Sequence, residues 1–211
     1  MANLDELYQA ILTGNLKQAK QVAAEAVEEN LDPQMVINDY MSAAMHEIGK
    51  RFEEGKAFVP ELLMSARAMK GALDILKSKM ASNTSVGLGK VVIGTVKGDL
   101  HDIGKNLVAS MLEGCGFEVL NLGVDISAEK FINAVKDNDA QIICMSALLT
   151  TTMNYMENVI KALEEEGLRE KVKVMVGAAP VSEAFARQIG ADGYSSNANA
   201  AVTLAKNLIS A

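Results

Sequence analysis

The chain has 211 residues, 20 Lys+Arg against 27 Asp+Glu, and a net charge of −7; 49% of it is hydrophobic and 22% charged. That balance describes a globular chain, long enough for one large domain or two small ones with real cores. The acidic charge, with no basic run longer than two residues, excludes nucleic acid and anionic membrane as expected partners.

No apolar run approaches the ~20 residues of a membrane span, and the opening MANLDELYQA lacks the basic-then-apolar layout of a signal peptide. Cys115 and Cys144 form no ligand pattern and read as small buried hydrophobes, so a cytoplasmic protein is expected. Twelve Met against 4 Tyr, 5 Phe and no Trp leave the interior to aliphatic and thioether side chains.

Up to Met80 the pattern is helical. Leu4, Leu7, Tyr8, Ile11 and Leu12 share one face, and Leu16, Ala19, Ala23, Ala26 and Val27 another after the Gly14-Asn15 break. Asp32-Pro33 opens a third helix, with Asp as N-cap and Pro at the first position. Its apolar face runs through Val36, Ile37, Tyr40, Met41, Ala44, Met45 and Ile48. Pro60 opens a fourth, through Leu62, Leu63, Ala66, Met69, Leu73 and Leu76. Four helices with short connections predict an antiparallel bundle over residues 1–85. Residues 82–89, SNTSVGLG, read as a linker.

From Lys90 the rhythm changes. β-rich runs at 91–96, 117–123, 141–146, 172–177 and, weakly, 192–194 alternate with helices beginning near Ile103, Ala128, Met153, Ser182 and Ala198. This predicts an α/β fold over 90–211: a doubly wound, five-stranded parallel sheet, whose ligands bind beyond the carboxyl ends of its strands.

The loop after the first strand carries Lys97-Gly98-Asp99-Leu100-His101-Asp102-Ile103-Gly104. No GxGxxG or GxxxxGK[ST] phosphate cradle is present. A histidine here with Asp99 two residues earlier suits an imidazole whose second nitrogen is tied to a carboxylate, as in metal-ligating histidines; a helix-capping aspartate beside an incidental histidine reads the same residues.

Asp99-x-His101-x-x-Gly104 resembles the cobalamin-binding motif of flavodoxin-like (Rossmann-like) corrinoid domains. Ser146-Ala147-Leu148-Leu149-Thr150 is similar to that family's S-x-L-x-T segment, Gly177-Ala178 stands where it has Gly-Gly, and Tyr194-Ser195-Ser196-Asn197-Ala198 resembles its last loop. Upstream, Gly49-x-x-Phe52-Glu53-x-Gly55-x-x-Phe58-Val59-Pro60-Glu61-Leu62 is similar to the helical cap of methionine synthase and corrinoid methyl carriers. The resemblance spans nearly the whole chain.

It implies cobalamin with its own base detached, and His101 as the lower ligand of cobalt. Asp99 and Thr152 would complete a proton relay, with Thr152 standing where methionine synthase has serine. Leu100, Asp102, Ile103, Gly104 and Leu148 would bind the cofactor. Gly98, Ser146, Gly177, Ala178 and Ala198 would line the slot for the nucleotide tail, which Ala178 narrows by one methyl, and Ser146 and Thr150 would hydrogen-bond to the tail. Phe52, Val59 and Leu62 would cover the upper corrin face, Val59 in place of a leucine. Asn38 replaces a glutamate of the aligned cap and inherits no contact; His46 reads as a surface or packing residue.

The function implied is that of a corrinoid protein shuttling between methylcobalamin and the Co(I) form. One substrate-specific methyltransferase would supply the methyl group, an acceptor methyltransferase would pass it to tetrahydrofolate or coenzyme M, and a reductase would reactivate the corrinoid. Methanol, methylamines, glycine betaine and aromatic methyl ethers are all compatible donors. A cobalamin-binding subunit of an adenosylcobalamin mutase would lack the helical cap; a cobalamin-based sensor would add a DNA-binding or signalling domain. A receiver would want a phosphorylatable Asp where Ser146 stands.

Overall fold

A computed structural model describes residues 2–77 and 88–210, in two compact units. The 82–87 part of the linker segment lies outside the described residues.

The first unit is helical. Asn3 caps α1 (Leu4–Leu12) by accepting the Glu6 N–H, and Asn15 caps α2 (Leu16–Glu28) by accepting that of Gln18. Asp32 caps α3 (Pro33–Met35), with Pro33 at the first position as expected. The helix does not continue as a plain α-helix. Val36–Met41 forms a π-helical segment before α4 (Ser42–Glu53), with the Ser42 N–H donating to the Ile37 carbonyl oxygen five residues back. The fourth helix of the sequence reading, α5 (Val59–Lys77), starts one residue before Pro60, which therefore sits in the first turn where its missing N–H costs nothing. Leu7, Ile11, Met41 and Met69 are fully buried, and burial of such side chains stabilises by about 1.5–3 kcal/mol each. Met45 is also buried, whereas Met64 is half exposed.

The second unit is the expected parallel sheet. Its strands are β1 (Lys90–Thr95), β2 (Glu118–Asn121), β3 (Ile142–Ser146), β4 (Lys173–Gly177) and β5 (Gly193–Ser195), in the order β2-β1-β3-β4-β5. The connecting helices are α6 (Ile103–Gly114), α7 (Ala128–Asn138), α8 (Thr150–Met153), α9 (Tyr155–Glu165) and α10 (Glu183–Gln188), and α11 (Ala198–Ser210) follows β5. Strand residues alternate between faces. Val92, Ile143, Met145, Val174 and Val176 join Phe131 of α7 and Met156, Val159, Ile160 and Leu163 of α9 in one apolar cluster. Val91, Ile93, Cys144 and Met175, of opposite parity, are buried as well, so both faces are covered.

The register carries the functional argument. Thr95 pairs with Ser146, Ser146 with Gly177, and Gly177 with Ser195, so four small residues form one row at the carboxyl edge. The strand order reverses between β1 and β3, which makes the loops following them neighbours at the switch point where such sheets bind ligands.

Candidate functional site

The chain leaves β1 through a tight turn. The Asp99 N–H donates to the Val96 carbonyl oxygen at 3.1 Å, and Gly98, third in the turn, has φ +84°, which glycine adopts without cost. The loop is then pinned from beneath, where the buried Thr95 hydroxyl donates to the His101 carbonyl oxygen at 2.8 Å.

Asp99 is completely buried and accepts five hydrogen bonds. Its Oδ1 takes the His101 N–H at 3.0 Å and the His101 ring Nδ1 at 2.7 Å. Its Oδ2 takes the N–H groups of Leu148 (2.7 Å) and Leu149 (3.2 Å) and the Thr152 hydroxyl at 2.7 Å. Burial alone would push this carboxyl up. The bonds from the His101 N–H, the Thr152 hydroxyl, the His101 ring and the Leu148 N–H outweigh it, and hold the group well below the usual carboxylate range. Asp99 is therefore an anion, and the imidazole proton facing it belongs to Nδ1. In neutral His101 this assigns the lone pair to Nε2, on a side chain that is 51% exposed.

Apolar side chains on the two loops that meet at Asp99 stay in solvent. Ile103 is 87% exposed, Leu100 73%, and Leu148 and Leu149 about two-fifths. Gly104 has nothing within 4 Å of where a Cβ would stand. Ser146 and Gly177 lie half-buried in the carboxyl-edge row, and a Cβ on Gly177 would come within 3.0 Å of the Ser195 carbonyl oxygen. Ala178, half-buried, sits at φ +116°, which explains physically why glycine suits that place better. Ala198 is buried at the start of α11, and Thr150 is exposed at the start of α8. Of the three residues expected to cover a corrin from the helical unit, Phe52 is half-buried near the end of α4, Val59 is exposed and Leu62 is wholly buried. His46 is exposed on α4.

Three features escaped the sequence. A helix was expected from Met153, whereas α8 already starts at Thr150, because the Asp99 carboxylate takes up the N–H groups that precede it. Lys105 is 3% exposed, and its Nζ donates to the side-chain oxygens of Asn106 (2.6 Å) and Asn121 (2.7 Å); burial lowers its pKa, against the raising effect of Asp102. Asp102 in turn accepts from the Asn106 amide at 2.8 Å. Asp125, in the β2–α7 loop, accepts the Gly98 N–H at 2.8 Å. No local pattern announces the last two, since both contacts join distant segments.

The donor set can be tested against a metal cofactor. Among the described residues no group of three or more His, Cys, Asp or Glu side chains could hold a bare metal ion. One imidazole, its far nitrogen fixed by a carboxylate and its neighbours apolar and exposed, fits a metal that arrives with its equatorial ligands already supplied by a broad apolar macrocycle. Sheet order, switch-point loop and lone imidazole together define the class of cobalamin-binding flavodoxin-like proteins.

Comparison with known proteins agrees. A family model described as B12 binding domain matches residues 89–203, and a second of the same description matches residues 4–77. The chain belongs to this B12-binding family, as a corrinoid protein. It is 44% identical to dimethylamine corrinoid protein 1 of Methanosarcina mazei over 207 residues, covering 98% of this chain and 95% of that one. Among solved structures, a cobalamin-binding protein from Desulfitobacterium hafniense DCB-2 superposes with TM-score 0.83 at 31% identity, covering 99% of both chains. The methanol:cobalamin methyltransferase complex MtaBC from Methanosarcina barkeri contains a chain matching with TM-score 0.82 at 31% identity, over 98% of this chain and 79% of that one.

Proposed function

We propose that this corrinoid protein carries a methyl group between two methyltransferases, with His101 as the protein ligand of cobalt. The observation that carries the reading is the His101 imidazole, exposed beside an apolar rim while its Nδ1 is bound to the buried Asp99 anion. When bound, cobalamin supplies a cobalt centre able to accept and release a methyl group.

The rest falls to the chain. Asp99 fixes the ring orientation and keeps the proton on Nδ1. Thr152 donates to the other carboxylate oxygen, so a proton gained or lost at the imidazole can be shared along His101, Asp99 and Thr152. The 2.7 Å bond from the Thr152 hydroxyl supports this role for the residue that stands where methionine synthase has serine. Leu100, Ile103, Leu148 and the open backbone at Gly104 would receive the corrin, with Asp102 at the rim and Gly98 at the mouth of the nucleotide slot. Ser146, Thr150, Gly177, Ala178 and Ala198 would line the path of the nucleotide tail. For the helical unit, with its own B12 binding match over 4–77, we assign Phe52 and Val59 to shielding the cofactor, and Leu62, wholly buried, to the packing of the helix that carries Val59.

The relatives named for dimethylamine favour a methylated amine as the donor, delivered by a donor-specific methyltransferase; the match within MtaBC supports partnership with such an enzyme. A second methyltransferase would discharge the carrier to tetrahydrofolate or coenzyme M, a reductase would restore Co(I), and two buried thiols suit a reducing cytoplasm.

Reconstitution of the apoprotein with hydroxocobalamin should give a one-to-one, base-off complex, and absence of any corrinoid binding would overturn the reading. His101→Ala should abolish the nitrogen coupling in the Co(II) paramagnetic resonance spectrum, and an unchanged spectrum would remove His101 from cobalt.

A further inference from the structure

Asp125 lies exposed between β2 and α7, in the left-handed backbone region at φ +56°. Few side chains accept that conformation, and aspartate is one of them. Two bonds tie it to the loop that presents His101. Its Oδ1 accepts the N–H of Gly98 at 2.8 Å, and its own N–H donates to the carbonyl oxygen of Asp99 at 3.1 Å. Next to it, Ile126 donates its N–H to the Thr95 carbonyl oxygen at 3.0 Å and bridges to Val96, so the clamp is anchored on β1 itself.

The Gly98 N–H belongs to the central peptide of the Val96–Asp99 turn. That peptide has two orientations, related by a flip, which distinguish type I from type II turns; φ +84° at Gly98 marks the second. In an exposed turn the two differ little in energy, and a carboxylate on the N–H selects one of them. The selected orientation, together with the bond from the Asp125 N–H to the Asp99 carbonyl oxygen, braces Asp99 on both sides and so fixes where its carboxylate meets the ring 2.7 Å away.

We propose that Asp125 is a positioning residue for His101: by accepting the Gly98 N–H it locks the 97–98 peptide and so aims the Asp99 carboxylate at the His101 Nδ1. This deepens the reading of His101 as the cobalt ligand and rests on it for its purpose. The geometry itself concerns the apoprotein, and so does the test.

The chain has two histidines, so imidazole nitrogen resonance spectra of the apoprotein contain two ring systems, with the exposed His46 as internal control. In the wild type His101 should be the Nδ1-protonated tautomer. Asp125→Gly keeps the left-handed backbone and removes the acceptor; it should lower the Nδ1-protonated to Nε2-protonated ratio of His101 about tenfold, the order expected for losing a hydrogen bond to a charged group. Asp125→Asn retains an acceptor oxygen and tolerance of positive φ, and should keep the wild-type ratio. A wild-type ratio in Asp125→Gly, or an equal loss in Asp125→Asn, overturns the proposal. A measurement needing no variant stands beside it: the Gly98 amide, on an exposed residue, should exchange at least tenfold more slowly than an unbonded amide, and free exchange would refute the clamp. Failure of the corrinoid reading would appear elsewhere, as a wild-type protein that binds no cobalamin.

Discussion

Asp99 concentrates the energetics of the site in one side chain. Its two oxygens meet three backbone N–H groups, a ring N–H and a hydroxyl, and an asparagine could accept at only one of the two ends. In Asp99→Asn the amide NH2 must face donors, and the loss should be about 3 kcal/mol at pH 7 by urea unfolding. The same measurement against pH gives a sign. The folded-state carboxyl titrates below its unfolded value near ~3.9, so its contribution is full above about pH 4 and disappears as pH falls toward the folded pKa. The gap between wild type and Asp99→Asn should therefore shrink by about 1.4 kcal/mol for each pH unit below about 4. A gap that does not change with acid would contradict an ionised Asp99. Ala178 presents the opposite case, a residue that costs stability. At φ +116° its Cβ is strained, and Ala178→Gly should stabilise by about 1 kcal/mol net of the extra freedom of the unfolded glycine. Chemical denaturation showing a loss would mean that the methyl is packed favourably enough to offset the strain.

Among the elements, α8 shows how one loop builds another. It has four residues, and its N-cap, Leu149, offers no side chain to the free N–H groups. Asp99 anchors its start from across the sheet edge, taking the N–H groups of Leu148 and Leu149, just before the helix, and the Thr152 hydroxyl within it on a single oxygen. Thr152→Val keeps the shape and deletes the hydroxyl; it should cost about 2 kcal/mol and raise the Asp99 pKa, whereas Thr152→Ser should remain within about 0.5 kcal/mol of wild type. Calorimetry of the pair decides, and a loss in Thr152→Ser as large as that in Thr152→Val would mean that the hydroxyl bond contributes no more than the methyl. This anchoring also explains what the sequence could announce. Continuous β-rich runs between helical stretches locate all five strands, and the local motif around Asp99 and His101 brings its residues together as expected. The early start of α8 is invisible because its anchor lies about fifty residues upstream. The π segment at Val36–Met41 is equally silent, since its buried face, Val36, Ile37 and Met41, satisfies α-helical spacing too. Lys105 and Asp125 gain their meaning only from partners on other segments.

For the whole molecule, cofactor binding and the stability of the sheet should be one equilibrium. Cys144 sits mid-strand in β3, two residues before Ser146 in the carboxyl-edge row, and is 6% exposed. Burial pushes its thiol up to about 12, so at pH 8 it reacts with a disulfide reagent only through opening of the sheet. An opening that separates β3 from β1 or β4 exposes Cys144, and that same separation dismantles the Thr95–Ser146–Gly177 row and the Asp99 contacts beyond it. A ligand bound at that edge stabilises the closed state by RT ln(1 + [L]/Kd), about 2.7 kcal/mol at a hundred times Kd. In a Cys115→Ala background, methylcobalamin at that concentration should therefore slow modification of Cys144 about a hundredfold, while His101→Ala, binding more weakly, should show a smaller protection. An unchanged rate with saturating methylcobalamin would mean that Cys144 is reached by a local fluctuation that leaves the binding edge intact, and would uncouple the strand from the site it carries.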